Sequence, residues 1–134
     1  MLRLAGWFAA FFLGAGSCAG LAAAELKSGE SVYKETCFAC HATGVAGAPK
    51  YGDRKMWAPL IEEGQPVLTS HAWVGVRGMP AQGGRKDLSL EEFSRAVAYM
   101  ARAAGGDWKD PDAKMLKHIS EEAKERIKKL KAKK

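Results

Sequence analysis

The pentapeptide Cys37-Phe38-Ala39-Cys40-His41 constrains this chain more than any other stretch of its sequence. Two cysteines at this spacing lie one helical turn apart, so that each thiol can add to one vinyl group of the same haem. The histidine that follows can then bind the iron as its proximal ligand. The motif therefore predicts one covalently attached c-type haem.

Three other interpretations of the pentapeptide are weaker. A thioredoxin-like redox pair needs a βαβ context, and nothing downstream has the pattern of buried strands. A structural zinc site needs a second pair of ligands, but beyond the first two dozen residues there are no further cysteines, and the other histidines are His71 and His118. A simple disulfide would leave His41 without a role.

Residues 1–24 have the pattern of an export signal. Arg3 precedes an uncharged apolar run, and Ala22-Ala23-Ala24 is an A-x-A cleavage pattern before Glu25. Two alternatives stay open: the uncharged stretch is long enough to span a bilayer if it is never cut, and Cys18 could carry a lipid. In every case we expect the haem to lie outside the cytoplasm, in the periplasm, either free or anchored to the membrane.

Helix start and stop signals recur through residues 25–134, which predicts an all-α fold with long loops. The start signals are Ser28, Pro59, Pro66, the capping box from Ser89 to Glu92, and Asp110-Pro111; the stop signals are Gly64, Gly75 and Gly105-Gly106. A domain this small has a marginal core of its own, and a haem would fill it.

The distal side of the iron needs a sixth ligand. The candidates are Met56, Met79, Met100, Met115, His71 and His118. Met100 lies on the apolar stripe of a capped helix, which predicts a core position. Met79 lies in the irregular segment Gly78-Met79-Pro80, where Gly78 permits close backbone approach and Pro80 stiffens the exit. Met79 is favoured, and a histidine is the alternative.

Pro49 closes the loop that follows the pentapeptide. Its fixed φ can hold a carbonyl beside His41, where it could accept a hydrogen bond from the imidazole Nδ1–H and leave Nε2 for the iron. An ordinary loop proline explains Pro49 equally well.

A series of short motifs follows the pentapeptide in a fixed order. They are Gly52-Asp53, Trp57-Ala58-Pro59, His71-Ala72, Gly78-Met79-Pro80-Ala81, Gly83-Gly84, Asp87-Leu88-Ser89, Glu91-Glu92, Ala96-Val97 and Tyr99-Met100. Over roughly residues 25–104 this series resembles the bacterial class I monohaem cytochromes c, most closely the c-five type. The resemblance implies the class I cytochrome c fold, with four to five short helices around one covalent haem, and His41/Met79 ligation.

The resemblance also assigns expected neighbours to single residues. It implies that Pro49 offers its carbonyl to His41, that Trp57 lies by a haem propionate, and that Gly29 and Tyr33 pack against the helix carrying Tyr99. One departure is Leu60, which stands where the family often has arginine. If that arginine neutralises a propionate in relatives, Arg54 or Lys55 would have to do so here, or the propionate would be more exposed.

By this resemblance the protein carries electrons between redox partner proteins, a membrane donor and a terminal acceptor. An iron that binds both His41 and Met79 has no open position for oxygen or peroxide, and no nucleophile stands beside a base elsewhere. Two alternatives stay open. One is a haem enzyme or gas sensor in which Met79 leaves the iron, and the other is a haem subunit of a larger oxidoreductase.

Residues 106–134 extend beyond the resemblance as a basic amphipathic helical tail. Its apolar stripe consists of Leu116, Ile119, Ala123, Ile127 and Leu130, and Lys124 to Lys134 carry seven basic residues against one acid. Three interpretations compete: a helix docked on the haem domain, attraction to an anionic membrane surface or an acidic partner, and self-association. Nucleic-acid binding is not expected, because no aromatic residue interleaves the basic run.

Overall fold

The computed structural model describes residues 24–133, so all but the last residue of the predicted signal segment (1–24), with Cys18, lies outside the described residues. The described part consists of helices and loops, with a single isolated β-bridge between Val76 and Met79. The first helix, α1 (29–41), is continuous through α-helical Gly29–Val32, π-helical Tyr33–Cys37 and α-helical Phe38–His41. The others are α2 (Arg54–Glu62), α3 (Gln65–Val74), α4 (Leu90–Ala103) and α5 (Ala113–Ala132). The all-α prediction is confirmed, including the extra C-terminal helix.

Several predicted helix ends are confirmed by their hydrogen bonds. The Ser28 hydroxyl accepts from the Ser31 N–H at the start of α1. At the start of α4 the Ser89 hydroxyl accepts from the Glu92 N–H, while the Glu92 carboxylate accepts from the Ser89 N–H, as in a capping box. Pro66 lies in the first turn of α3, and Gly75 follows its last residue.

Two helix starts differ from the prediction. Helix α2 begins at Arg54 rather than at Pro59, because the Asp53 carboxylate accepts from the Met56 N–H at 3.0 Å. Pro59 therefore lies inside the helix, at a position where its missing N–H leaves one helical bond unmade. Helix α5 begins after Asp112, whose carboxylate caps the Met115 N–H at 2.7 Å, and not at Asp110.

Helices α1 and α4 cross at Gly29. A Cβ atom at this position would lie 2.3 Å from the Arg95 carbonyl oxygen and 3.1 Å from the Tyr99 Cβ. The Tyr33 ring, one turn further along α1, lies 5.6 Å from the Tyr99 ring between centroids. The expected packing of Gly29 and Tyr33 on the helix that carries Tyr99 is confirmed.

The core forms between α4 and the elements packed around it. Phe93, Val97 and Met100 on α4 are almost completely buried, and the 2% exposure of Met100 confirms its predicted core position. The Trp73 ring of α3 meets Phe93 edge to face at 5.4 Å between centroids. This packing fixes α3 relative to α4.

Helix α5 packs against α3 and, over a smaller contact, against α4. Ile119 and Ala123 are buried, whereas Ile127 and Leu130 are 40% and 41% exposed, so only the first part of the predicted stripe is covered. None of the helices within residues 24–133 is long and apolar enough to cross a membrane.

The connection from α4 to α5 is bonded to both α3 and α4 through residues 108–110. The Gln65 side chain at the start of α3 donates to the Lys109 carbonyl at 2.8 Å. At the end of α4, the Arg102 guanidinium donates to the Trp108 carbonyl at 3.0 Å and pairs with Asp110, also at 3.0 Å. Helix α5 is therefore held to the rest of the described chain by its linker as well as by its buried face.

Candidate haem site

The two cysteines of the pentapeptide lie on α1, at the end of its π-helical turn and in the α-helical turn that follows. Cys37 is the last residue of that turn and is buried, whereas Cys40 is exposed, and the two are not joined by a disulfide. Single π turns within α-helices are frequent at functional sites. Burial raises the pKa of the Cys37 thiol to about 11, and the nearby Cys40 adds to the shift. Both sulfurs are thus free to form thioethers.

His41 is buried and hydrogen-bonded through one ring nitrogen. Its Nδ1 lies 2.8 Å from the Pro49 carbonyl oxygen. With the proton on Nδ1 for this bond, Nε2 keeps the lone pair that can bind a metal. The Tyr51 N–H donates to the His41 carbonyl at 2.7 Å, which fixes the same loop from its other side.

Trp57 supports this loop from α2. It is 3% exposed, and its indole N–H donates to the Lys50 carbonyl at 2.9 Å. The centroid of its ring system lies 6.4 Å from that of His41. Because the indole N–H is already bonded to Lys50, any contact of Trp57 with a propionate would be through the ring rather than through this N–H.

Met79 lies at the end of a backbone-paired turn. The Val76 N–H donates to the Met79 carbonyl at 3.1 Å, and the Met79 N–H donates to the Val76 carbonyl at 2.9 Å. Within the turn Arg77 has φ +52°, a strained value for a residue with a side chain. The Met79 side chain is half-buried and packs against the hydrophobic core.

A close approach of backbone to backbone occurs in this segment at Gly75, whereas the role predicted for Gly78 stays a prediction. A Cβ at Gly78 would meet open space, whereas a Cβ at Gly75 would lie 3.1 Å from the Ala81 nitrogen and 3.3 Å from the Met79 carbonyl oxygen. Gly75 also has φ +99°, which favours glycine. Gly75, which the sequence marks only as the end of a helix, therefore also brings the backbone close to the Met79 turn.

The other candidate ligands have different surroundings. His71 is paired with Glu63 at 3.2 Å, and partial burial together with the nearby Arg126 lowers its pKa. Met100 is part of the core, Met56 is 39% exposed on α2, and Met115 and His118 lie on α5. Met79 alone among these candidates is in a loop of the described chain.

Three tyrosines form a cluster, of which the sequence predicted only the packing of Tyr33 near Tyr99. Tyr51 stacks on Tyr33 at 4.6 Å and on Tyr99 at 5.5 Å between ring centroids. A hydrogen bond with Tyr99, together with burial, raises the pKa of Tyr51 to about 12. Nothing in the sequence near Tyr51 signals this contact, because its partners lie in α1 and α4.

The residue that departs from the family pattern, Leu60, packs against the core. Of the two basic residues considered in its place, Arg54 is exposed and its guanidinium lies beside Gly105, where a Cβ would come within 3.5 Å of the Arg54 Cζ. Lys55 is exposed on α2. Of the two, Arg54 at the start of α2 has a defined neighbour, Gly105, which lies just after the end of α4.

The donor set fits a haem c. Two thiols one turn apart can form the thioethers, a buried imidazole with a fixed Nδ1–H can bind the iron through Nε2, and a thioether sulfur lies against the same core.

Comparison with known proteins agrees with one covalently bound haem c. The family profile described as "Cytochrome C oxidase, cbb3-type, subunit III" matches residues 24–100. Cytochrome c-555 of Chlorobaculum tepidum is 42% identical over 80 residues, which are 57% of this chain and 74% of that protein. Cytochrome c5 of Azotobacter vinelandii is 34% identical over 77 residues, 56% of this chain and 93% of that protein.

A solved structure shares the fold as well. A chain of the "Crystal structure of electron transfer complex of nitrite reductase with cytochrome c" superposes with a TM-score of 0.56 and 41% sequence identity, covering 60% of this chain and 99% of that one. Fold and site together define a monohaem electron-transfer protein. The chain belongs to the cytochrome c family, as a class I, c5-like member. It binds one covalent haem c and is an electron carrier, not an enzyme.

Proposed function

We propose that this protein is a periplasmic electron carrier whose haem iron is bound by His41 and Met79. The observation that carries the proposal is the 2.8 Å contact between the His41 Nδ1 and the Pro49 carbonyl oxygen, which fixes the tautomer that a proximal ligand needs. Met79 is the second ligand because its turn presents a thioether at the core from outside any helix.

Each of these residues has a defined part in electron transfer. The bound haem c supplies a one-electron iron couple. Cys37 and Cys40 would hold it covalently, and His41 and Met79 would bind its iron, which would leave no open site for small molecules. A thioether ligand favours the reduced iron and raises the potential. Pro49 and Trp57 keep the imidazole in one orientation, which limits the rearrangement that accompanies a change of charge.

The division of the chain follows from the same proposal. Residues 1–24 are a signal peptide or an uncleaved anchor, residues 25–105 are the haem domain, and residues 106–134 are an appended basic tail. The family match ends at residue 100, which supports the second boundary. Sequencing the N-terminus of the protein from the periplasmic fraction tests the first. A start near Glu25 is expected, and a start at Met1 in the membrane fraction would mean an anchor.

The proposed partners are a membrane donor and a terminal acceptor. The likeness to a chain from a complex with nitrite reductase supports docking to a terminal reductase of that general kind. Phe38 and Val45, beside the attachment residues, are 55% and 52% exposed and offer an apolar contact. Such a small surface suits a transient complex.

The lysine-rich end of α5 favours an acidic partner protein over a membrane surface. Lys124, Lys128 and Lys131 are exposed, whereas Ile119 and Ala123, the centre of the apolar stripe, are already buried. A helix that lies in a membrane interface needs that apolar face for lipid. Replacing Lys124, Lys128 and Lys131 together by glutamine removes charge and leaves the buried face of α5 intact. This variant should weaken partner turnover at low salt and leave it unchanged at high salt, and binding of the unsubstituted protein to anionic vesicles instead would overturn this choice.

A pair of variants tests the ligation. Met79→Ala should remove the sulfur-to-iron charge-transfer band of the ferric protein and allow the ferrous protein to bind carbon monoxide. Met56→Ala, which truncates an exposed methionine on α2, should do neither. A Met79→Ala protein that keeps the band would show that another residue is the sixth ligand.

A further inference from the structure

Helix α5, which lies beyond the family match, reaches the loop that carries Met79. The Nη2 of Arg126 donates to the Gly75 carbonyl oxygen at 3.2 Å, a contact between residues 51 positions apart. Gly75 is the residue that ends α3. The Gly75 backbone is not helical (φ +99°, ψ 140°), so its carbonyl lies outside the helical hydrogen bonds of α3 and takes the guanidinium as its partner.

Gly75 is rigidly connected to the Met79 turn. Its backbone approaches the turn so closely that a Cβ would lie 3.3 Å from the Met79 carbonyl oxygen. The next residue, Val76, makes two backbone hydrogen bonds with Met79. Between them Arg77 is held at φ +52°, a conformation that persists only where surrounding contacts enforce it.

Arg126 is itself held in place. Helix α5 is fixed on α3 by the burial of Ile119 and Ala123. Arg126 lies one turn after Ala123, and its Nε is buried. The side chain is thus half-buried between α5 and the end of α3, where the cost of leaving the guanidinium without an acceptor favours the bond to Gly75.

We propose that α5 positions the distal ligand, with Arg126 holding the Gly75 carbonyl and thereby restricting the Val76–Met79 turn. This proposal rests on the proposed function, in which Met79 binds the iron. Arg126 is a positioning residue, because it acts on Met79 through the backbone and does not contact the iron ligand itself. The tail would then help to decide how readily the thioether leaves the iron.

The test measures how easily an added ligand displaces Met79. Imidazole is titrated into the ferric holoprotein. Its apparent affinity is compared between the unsubstituted protein and the Arg126→Met variant, which keeps an apolar side chain but lacks the guanidinium. The affinity should rise about three- to tenfold, as expected for loss of one net hydrogen bond. Lys124→Met, which removes an exposed charge from the same helix, is the matched control and should leave the affinity unchanged.

The outcomes separate this proposal from the ligation on which it rests. If the unsubstituted protein lacks the sulfur-to-iron band, the Met79 ligation itself is wrong. If that band is present and Arg126→Met binds imidazole like the control, the ligation stands and the positioning role is wrong. Should Arg126→Met fail to yield holoprotein, Arg126→Gln removes the guanidinium and keeps a shorter, neutral polar side chain. An imidazole affinity equal to that of the unsubstituted protein would likewise overturn the proposal.

Discussion

The Nδ1 of His41 lies 2.8 Å from the carbonyl oxygen of Pro49, eight residues further along the chain. The contact joins the end of α1 to a loop that is itself bonded to α2, through the Trp57 indole and the Lys50 carbonyl. The proximal imidazole is therefore oriented by a short series of hydrogen bonds between two helices. An imidazole held in this way keeps one tautomer and one ring orientation through a change of iron charge.

Trp57→Phe should loosen the proximal loop. The substitution keeps a ring in the core but leaves the Lys50 carbonyl without its donor, so the free energy of unfolding should fall by about 1–2 kcal/mol. The exchange rate of the His41 Nδ1 proton, followed by NMR in the reduced protein, should rise. Trp73→Phe, which alters a ring on the Phe93 side of the core, should leave that exchange rate unchanged, and equal acceleration in both variants would contradict the proposed support.

Gly29→Ala should push α1 and α4 apart at the point where they cross. The new Cβ would lie 2.3 Å from the Arg95 carbonyl oxygen, a backbone atom that cannot turn away. The free energy of unfolding should fall by about 1–3 kcal/mol, as for other overpacked sites, and denaturant unfolding measures it. Gly78→Ala is the control, because a Cβ there meets open space; a Gly29→Ala protein as stable as this control would mean that the helices do not cross so closely.

Acid should weaken the junction between the N-terminal segment and α4. Hydrogen bonds from the Lys27 and Ser89 N–H groups hold the pKa of Glu92 below its ordinary value of 4.5. A lowered folded-state pKa contributes stability that is complete above the unfolded-state value and disappears as the pH falls through the folded-state value.

The Glu92 contribution can be measured from urea midpoints at neutral pH and at a pH below 4.5. Glu92→Gln should lose stability at neutral pH and show a smaller decrease on acidification than the unsubstituted protein. Glu25→Gln, at an exposed position near the start of the described chain, should behave like the unsubstituted protein. An unchanged acid dependence in Glu92→Gln would show that this carboxylate is not the group concerned.

Local signals sufficed where one residue determines one feature. The capping box at Ser89, Pro66 in the first turn of α3 and the core position of Met100 follow from spacing alone, and all three are present. Two helix starts were misjudged because two signals competed. Asp53, which precedes Pro59, caps the start of α2, and Asp112, which follows Pro111, caps the start of α5. In both helices the start is set by the aspartate whose carboxylate accepts from a free N–H, and not by the proline.

Contacts between distant segments could not be read from the sequence. Gly75 and Gly78 look alike in the chain, and only the approach of residues 79–81 distinguishes them. The stacking of Tyr51 on Tyr33 and Tyr99, and the bond from Arg126 to Gly75, each join elements whose relative placement depends on the whole fold. The tail helix was predictable from its stripe, but how much of the stripe would be covered was not.

Absorption spectra of the purified full-length protein, ferric and ferrous, with and without carbon monoxide, test the ligation by His41 and Met79 most directly. The expected result is a low-spin c-type spectrum with the ferric sulfur-to-iron charge-transfer band, and a ferrous spectrum that carbon monoxide does not change. A high-spin spectrum, or a ferrous protein that readily binds carbon monoxide, would contradict stable Met79 ligation and point to chemistry at an open iron site.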